Sequence, residues 1–177
     1  AGMGGATFPT HVKLSPPKDK PIDILLVNGA ECEPYLTADH RIMLEKPELV
    51  LLGTKAIMKA LGVNKAYICI ENNKPDAIET LKEIVGNEEG IEVVSMVAKY
   101  PQGDEKRLIN AITGRVVPSG GLPMEVGCVV ENVGTVATIG NVIKTGMPCI
   151  QRVVTVTGSA VENPKNLYVR LGTLFKD

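Results

Sequence analysis

Three short apolar runs alternate with three helical patterns along the first two-thirds of the chain, and this alternation constrains the fold more than any other feature. The apolar runs are rich in aliphatic and β-branched residues and are bounded by turn residues, which is typical of buried strands. They cover residues 22–28, 65–70 and 91–97. Helical patterns of apolar residues cover residues 41–61, 76–85 and 104–113. The alternation predicts an α/β fold: a Rossmann-like parallel sheet flanked by helices.

The chain changes character after residue 150. Residues 152–157 alternate and are β-branched, Gly158 favours a turn, and residues 167–171 are again strand-like. A hairpin of this size is marginally stable alone, so it begins a second, β-rich domain or adds an edge to the first. We therefore predict an α/β domain over residues 1–150 and a β-rich segment over residues 151–177. The first residue is not an initiator methionine, and we expect the sequence to be an excised fragment.

Charge and hydropathy exclude several classes of function. The 19 basic and 20 acidic residues give a net charge of −1, so nucleic acid is not an expected partner. Uninterrupted apolar stretches such as residues 24–27 and 49–52 are far shorter than the roughly 20 residues that span a bilayer, so no direct membrane insertion is expected.

The cysteines and histidines give no metal-ligand pattern. The four cysteines are scattered without a C-x-x-C pair, which argues against a zinc knuckle, a dithiol redox pair or an iron–sulfur cluster held by this chain alone. We expect these thiols to be reduced in an intracellular compartment. The two histidines have no ligand-like neighbours in sequence, so neither a metal site nor a Ser-His-Asp triad is expected.

Two glycine-containing loops in the first quarter of the chain are candidate ligand sites. Residues 2–10 are rich in glycine and are followed by Lys13, so backbone N–H groups and one ammonium could hold a phosphate or a flat ring. The alternative is a flexible terminus. Residues 28–35 follow the first strand and carry two carboxylates that could bind ribose hydroxyls or an amide, the alternative being a solvated turn. Cys32 between the carboxylates is a reactive thiol or an inert one.

Two further candidate loops lie later in the chain. Residues 100–105 place a helix N-terminus where it could bind an anion, although capping by Asp104 and Glu105 alone explains these two acids. Residues 131–135 could set an amide and a hydroxyl beside a ligand, or form a plain entry into a helix.

Taken together and in order, these loops resemble the C subunit of the Rnf electron-transport complexes, and the resemblance covers essentially the whole chain. More distantly, the same segments are similar to the flavin-carrying, NADH-oxidising subunit of respiratory complex I. Ala30, Met3 and Gly134 depart from the acid, Arg and Glu typical of complex I, and these departures favour the Rnf pattern. The resemblance is carried by residues 2–13, 28–39, 100–106, 120–123, 132–135 and 152–158.

The resemblance implies that the loops enclose FMN and that NADH stacks on the exposed face of the flavin. Phe8 would stack on the nicotinamide nucleotide, and Glu33 and Glu105 would bond its ribose or carboxamide groups. Asn132 and Thr135 would contact the FMN phosphate. No protein group is implied as catalytic, because the flavin performs the hydride transfer. The residues implied to hold FMN are Gly2, Gly4, Gly5, Lys13, Asn28, Glu31, Cys32, Tyr100, Gly103, Asp104, Asn132 and Thr135.

The implied function is an FMN- and NADH-binding module of an NADH:ferredoxin electron-transport complex. Electrons would leave FMN for 4Fe–4S clusters outside this fragment and reach ferredoxin indirectly, with the other complex subunits as partners. The module would be cytoplasmic, at the inner face of the cell membrane, and residues 151–177 would begin a β-grasp domain. Two alternatives remain: the same site in a soluble NADH-dependent cobalamin or amino-acid reductase system, or a docking module that has lost its flavin.

Overall fold

The structure, a computed structural model, describes residues 2–4 and 7–176. Its strands are β1 (Ile24–Gly29), β2 (Ala66–Glu71), β3 (Ile91–Met96), β4 (Cys128–Asn132), β5 (Gln151–Val156) and β6 (Lys165–Arg170). Its α-helices are α1 (Thr10–Lys13), α2 (Ala38–Glu45), α3 (Pro47–Leu61), α4 (Pro75–Val85), α5 (Glu105–Thr113) and α6 (Val133–Thr145), and a short 3-10 helix covers Pro123–Val126.

Four of the strands form one parallel sheet in the order β3-β2-β1-β4. The predicted α/β fold with a parallel sheet is therefore confirmed. In chain order, β2 pairs with one edge of β1 and β3 pairs with β2. Strand β4 then pairs with the other edge of β1. In such sheets, ligands bind beyond the carboxyl ends of the strands at the point where the order reverses. Here that point lies between β1 and β4.

Helices cover both faces of this sheet. Leu25 and Val27 of β1 pack on one side into a core that α2, α3, α4 and α6 complete. Leu26 points to the opposite face, where Leu108 and Ile109 of α5 cover it. Strands that are buried on both faces consist of continuous apolar runs. This explains why β1 and β2 could be predicted from the sequence.

The packing of α3 against α6 requires glycine on both helices. A Cβ atom on Gly53 would overlap the carbonyl oxygen of Val136, and one on Gly140 would overlap the carbonyl oxygen of Leu49. The two helix backbones are therefore in direct contact. This contact holds α6, and with it the end of β4, against the rest of the sheet.

One sequence-based expectation about these elements was wrong, and one strand was not predicted. The single helix expected over residues 41–61 is two helices, because Pro47 lacks an N–H and disfavours helical geometry at the preceding residue. Lys46 accordingly has φ −139° between α2 and α3. Strand β4 was not predicted, because its apolar run ends after three residues at Glu131.

The expected C-terminal hairpin is confirmed as the antiparallel pair β5–β6. It lies against the α/β unit: Asn166 Nδ2 donates to Thr37 Oγ1 at 2.8 Å, and Arg152 Nη2 donates to the Met3 carbonyl oxygen at 2.7 Å. The division of the chain into domains at residue 150 stays a prediction. Within the described residues, none of the helices combines the length and the apolar character needed to cross a membrane.

The α3–α6 contact predicts a large cost for Gly53→Ala. Alanine favours a helix over glycine by about 1 kcal/mol, yet the overlap with the Val136 backbone should lower the free energy of unfolding by about 3 kcal/mol. Urea denaturation measures the difference. Gly146→Ala is the control, because an added Cβ there meets no described atom within 4 Å and only the φ of +71° is strained, at a cost of about 1 kcal/mol. A Gly53→Ala chain as stable as the wild type would contradict this packing.

Candidate functional site

A cleft of about 890 Å³ opens where the sheet order reverses, at the carboxyl ends of β1 and β4. This volume is in the range of small-molecule sites. Among the residues that line it are Gly2, Gly4, Phe8, Lys13, Asn28, Glu31, Cys32, Glu33, Tyr100, Gly103, Asp104, Glu105, Asn132 and Thr135. The structure therefore brings together every sequence-predicted site residue that it describes. Gly5 was also predicted and lies outside the described residues.

Glycines allow the loops around the cleft to close on the strand ends. A Cβ on Gly4 would lie 2.6 Å from the side chain of Asn132, and one on Gly103 would lie 2.6 Å from the carbonyl oxygen of Ala30. Asn28 at the end of β1 holds the loop that contains Gly103 in place, because its Nδ2 donates to the Gly103 carbonyl oxygen at 2.8 Å. Larger residues at these glycines would push the loops away from the cleft.

Met3 in the glycine-rich segment is bonded at both of its backbone polar atoms. Its N–H donates to Thr135 Oγ1 at 2.9 Å, and its carbonyl oxygen accepts from Arg152 Nη2 at 2.7 Å. One partner lies in the first turn of α6 and the other on β5. The hairpin thus helps to hold the wall of the cleft.

Three helices begin at the cleft, and polar side chains cap them. Asp104 Oδ1 accepts from the Arg107 N–H at the start of α5, and Asn132 Oδ1 accepts from the Thr135 N–H at the start of α6. Glu31 accepts from two backbone N–H groups at the start of α2, at 3.0 and 3.2 Å. The simpler interpretations hold locally for Asp104, which caps a helix, and for Asn132, which lies at a loop-to-helix entry. Because helix N-termini carry partial positive charge, their convergence also favours an anionic ligand.

Lys13 is paired inside the cleft. Its Nζ lies 2.6 Å from Glu105 Oε1 and donates to the carbonyl oxygen of Val130 at 2.8 Å. The pair joins α1 to the start of α5 across the end of β4. This pairing fixes the positions of both Lys13 and Glu105 at the wall of the cleft, where a ligand could reach them.

The outer rim of the cleft is exposed and partly aromatic. Phe8 is 47% exposed and Tyr100 is 69% exposed, although large rings in proteins are usually well buried. The carboxylate residue Glu33 is exposed beside them. Rings and a carboxylate in this arrangement can stack on a flat heterocycle and accept hydrogen bonds from hydroxyl or amide groups.

Among the charged residues that line the cleft and had no role predicted from the sequence are Asp39, Glu131 and Arg152. Burial and the negative charge of Glu31 raise the pKa of Asp39 to about 6, while Asn132 Nδ2 donates to its Oδ2 at 2.7 Å and opposes the rise. Arg152 holds the Met3 carbonyl oxygen. The only sequence signal for Glu131 was an acid directly after an apolar run.

Glu131 is the most unusual of these three residues. It is 2% exposed, and its Oε1 has no hydrogen-bond partner among the residues that the structure describes. Burial raises the pKa of Glu131 to about 7; the charge of Lys13 opposes this rise and that of Glu105 adds to it. A carboxyl group with such a pKa exchanges its proton near neutral pH.

Comparison with known proteins identifies the family. Residues 1–141 match the family model described as the Nuo51 FMN-binding domain. The chain belongs to this family. Its fold is also that of a solved structure of an NAD+-reducing NiFe hydrogenase in the air-oxidised state, with a TM-score of 0.77 and 23% identity over 97% of this chain and 35% of the hydrogenase chain.

Two curated relatives of this Nuo51-family chain are much more similar to it. The C subunit of the proton-translocating ferredoxin:NAD(+) oxidoreductase complex of Clostridium ljungdahlii is 57% identical over 99% of the chain. The C subunit of the Na(+)-translocating complex of Acetobacterium woodii is 54% identical over 99% of it. The chain spans 38% and 40% of the length of these relatives. The resemblance to the Rnf C subunit that the motifs indicated is confirmed.

The burial of Glu131 predicts a pH-dependent gain in stability for Glu131→Gln. Between the ordinary pKa of 4.5 and the raised value of about 7, the folded chain keeps a proton that the unfolded chain releases. The free energy of unfolding of the wild type therefore falls as the pH rises through this interval. Above it, Glu131 is ionised in both states and the loss of stability is complete. In denaturant titrations, the variant should exceed the wild type by up to about 3 kcal/mol near pH 8.5 and by less than about 1 kcal/mol near pH 5.

Glu92→Gln is the control for this prediction. Glu92 is an exposed carboxylate on β3, paired at 3.2 Å with Lys65, so its removal should change stability by less than about 0.5 kcal/mol at either pH. A stability difference at Glu131 that does not vary with pH would show that its carboxyl has an ordinary pKa.

Proposed function

We propose that this chain is the FMN- and NADH-binding module of an Rnf-type ferredoxin:NAD(+) oxidoreductase complex. One observation carries the proposal: the described residues that the resemblance assigned to FMN and NADH all line one cleft at the reversal point of the sheet. The family of the chain and the names of its relatives agree with it.

The residues of the cleft fit FMN. Gly4 and Gly103 leave room for close backbone approach, since a side chain at either position would collide with the opposite wall. The start of α6 would offer backbone N–H groups and the Thr135 hydroxyl to a phosphate, although the Thr135 N–H itself is bonded to Asn132. Asn28 and Glu31 would lie along one side of the flavin with Cys32, and Gly2, Gly4, Gly5 and Lys13 would hold its other end.

The remaining roles concern the nicotinamide nucleotide and the opposite wall. Tyr100, Gly103 and Asp104 would face FMN across the cleft. Phe8 would stack on NADH, while Glu33 and Glu105 would accept hydrogen bonds from its ribose or carboxamide. The protein contributes orientation and electrostatics, which convert an encounter of two large molecules into a reaction within one site. FMN, when bound, would accept a hydride from NADH and release electrons singly.

The proposal includes partners outside this chain. Because the relatives are subunits of ferredoxin:NAD(+) oxidoreductase complexes, we infer that other subunits bind this module and that ferredoxin is reached indirectly. The 4Fe–4S clusters that carry the electrons onward would lie in a part of the protein beyond these residues. The β5–β6 hairpin would begin a β-grasp domain, and the complex would hold the module at the cytoplasmic face of the membrane.

The first test is an anaerobic titration of FMN into the chain, followed by flavin fluorescence, and then NADH addition with visible absorbance. We expect saturable binding and bleaching of the flavin by NADH faster than in a free-FMN control. Gly103→Ala should weaken FMN binding by at least about tenfold, because its Cβ collides with the Ala30 backbone and displaces a cleft wall. Gly146→Ala, at the far end of α6, should bind FMN as the wild type does. Absence of saturable binding to the wild type would overturn the proposal.

The second test separates the two ligands. Glu33→Gln and Glu105→Gln should lower the rate of flavin reduction at limiting NADH by about tenfold, because each loses a charged hydrogen-bond acceptor for the nucleotide. Their affinity for FMN should change by less than about threefold. Glu92→Gln, which removes a surface carboxylate on β3, serves as the matched control and should change neither. Equal losses of FMN binding and NADH reaction would refute the assigned roles.

A further inference from the structure

Glu131 is a buried acid in the wall of the cleft, and one of its carboxyl oxygens has no hydrogen-bond partner among the described residues. It is the fourth residue of β4, next to the cap of α6, and it lines the cleft while being 2% exposed. Its Oε1 lacks a hydrogen-bond partner within the described part of the chain. A buried carboxylate without a partner is costly, so either a proton or a ligand group must satisfy it.

The charged side chains that face Glu131 within the described residues do not provide that partner. Lys13 of α1 is close enough to act on its charge, but its Nζ is bonded to Glu105 and to the Val130 carbonyl oxygen. Glu105, at the start of α5, is itself negative and opposes ionisation of Glu131. On β1, the residue paired with Glu131 in the sheet register is Val27, which is uncharged. Arg152 of β5 lines the same cleft; its Nη2 donates to the Met3 carbonyl oxygen, and its Nε is buried without a partner among the described residues.

Flavin binding would shift the protonation equilibrium of Glu131 from the carboxylate toward the protonated acid. FMN carries a phosphate dianion and no cation, and a ligand that fills the cleft displaces the water that solvates a carboxylate. Both effects favour the neutral form. A neutral carboxyl group also has one donor and one acceptor, which suits the N–H and carbonyl edge of a flavin ring, whereas a carboxylate has acceptors only.

We propose that Glu131 is a proton-binding residue of the flavin cleft, protonated when FMN is bound, so that FMN binding takes up a proton above neutral pH. The inference rests on the proposed function and adds a linkage between pH and flavin occupancy. The proton comes from solvent and is bound by a carboxylate oxygen of Glu131, without any redox step. Glu131 acts here as a positioning residue, since it presents a donor to the ligand only when protonated.

Isothermal titration calorimetry of FMN into the chain measures this linkage directly. Titrations near pH 7, 8 and 9, in buffers that differ in ionisation enthalpy, give the number of protons exchanged at each pH. We expect uptake approaching one proton near pH 8 and an affinity that falls by about tenfold or more between pH 7 and pH 9. The second ionisation of a phosphate monoester occurs near pH 6, below this window.

Two variants isolate the contribution of Glu131. Glu131→Gln keeps a donor and an acceptor without a titratable group, so its FMN affinity should not vary with pH in this window and its proton uptake should disappear. Glu92→Gln removes an exposed carboxylate and should keep the wild-type uptake. Circular dichroism of each variant at each pH verifies that it is folded.

The outcomes distinguish this inference from the proposed function. Saturable FMN binding to the wild type with no proton exchange, or with proton release, overturns the inference and leaves FMN binding intact. Equal uptake by Glu131→Gln and the wild type overturns it as well, because another group would then bind the proton. Absence of FMN binding at every pH overturns both.

Discussion

The pairing of β4 with β1 is the interaction on which the rest of the structure depends. It joins segments about a hundred residues apart and sets Asn28 directly beside Asn132 in the register. Each of these amides then fixes a wall of the cleft, since Asn28 bonds the Gly103 loop and Asn132 caps α6. Without this pairing, the sheet order would not reverse, and the strand ends would offer no crevice between them.

The contact between α3 and α6 secures that pairing from one face. Glycines at positions 53 and 140 let the two helix backbones meet, so α6 is held firmly at the sheet directly after β4 ends. The proposed phosphate site at the start of α6 would gain from this rigidity, because the N–H groups would need no reordering when a ligand arrives. The same segment that stabilises the core would therefore orient the proposed binding groups.

The electrostatics of the cleft combine helix N-termini with acids. Glu31 and Asp104 accept hydrogen bonds from backbone N–H groups at the starts of α2 and α5, and Glu105 forms an ion pair with Lys13. Glu131 is left without such a partner among the described residues. A site that receives an anionic cofactor and an anionic nucleotide gains from keeping its carboxylates paired or protonated, because free negative charge would repel both.

Much of this molecule could be predicted from the sequence because the information is local. Helical periodicity and turn residues determined α4 and α5, alternating β-branched residues determined the β5–β6 hairpin, and the order of the glycine and acidic loops determined the family and its cleft residues. Strand β4 was missed because three apolar residues before an acid carry too little periodicity to be recognised. What tertiary structure alone decided is long-range: the position of β4 beside β1, the Lys13–Glu105 pair, the hydrogen bond from Arg152 to Met3, and the burial of Glu131. The physical reason is that solvent exposure and charge neighbours are set by residues distant in the chain, and no local pattern encodes them.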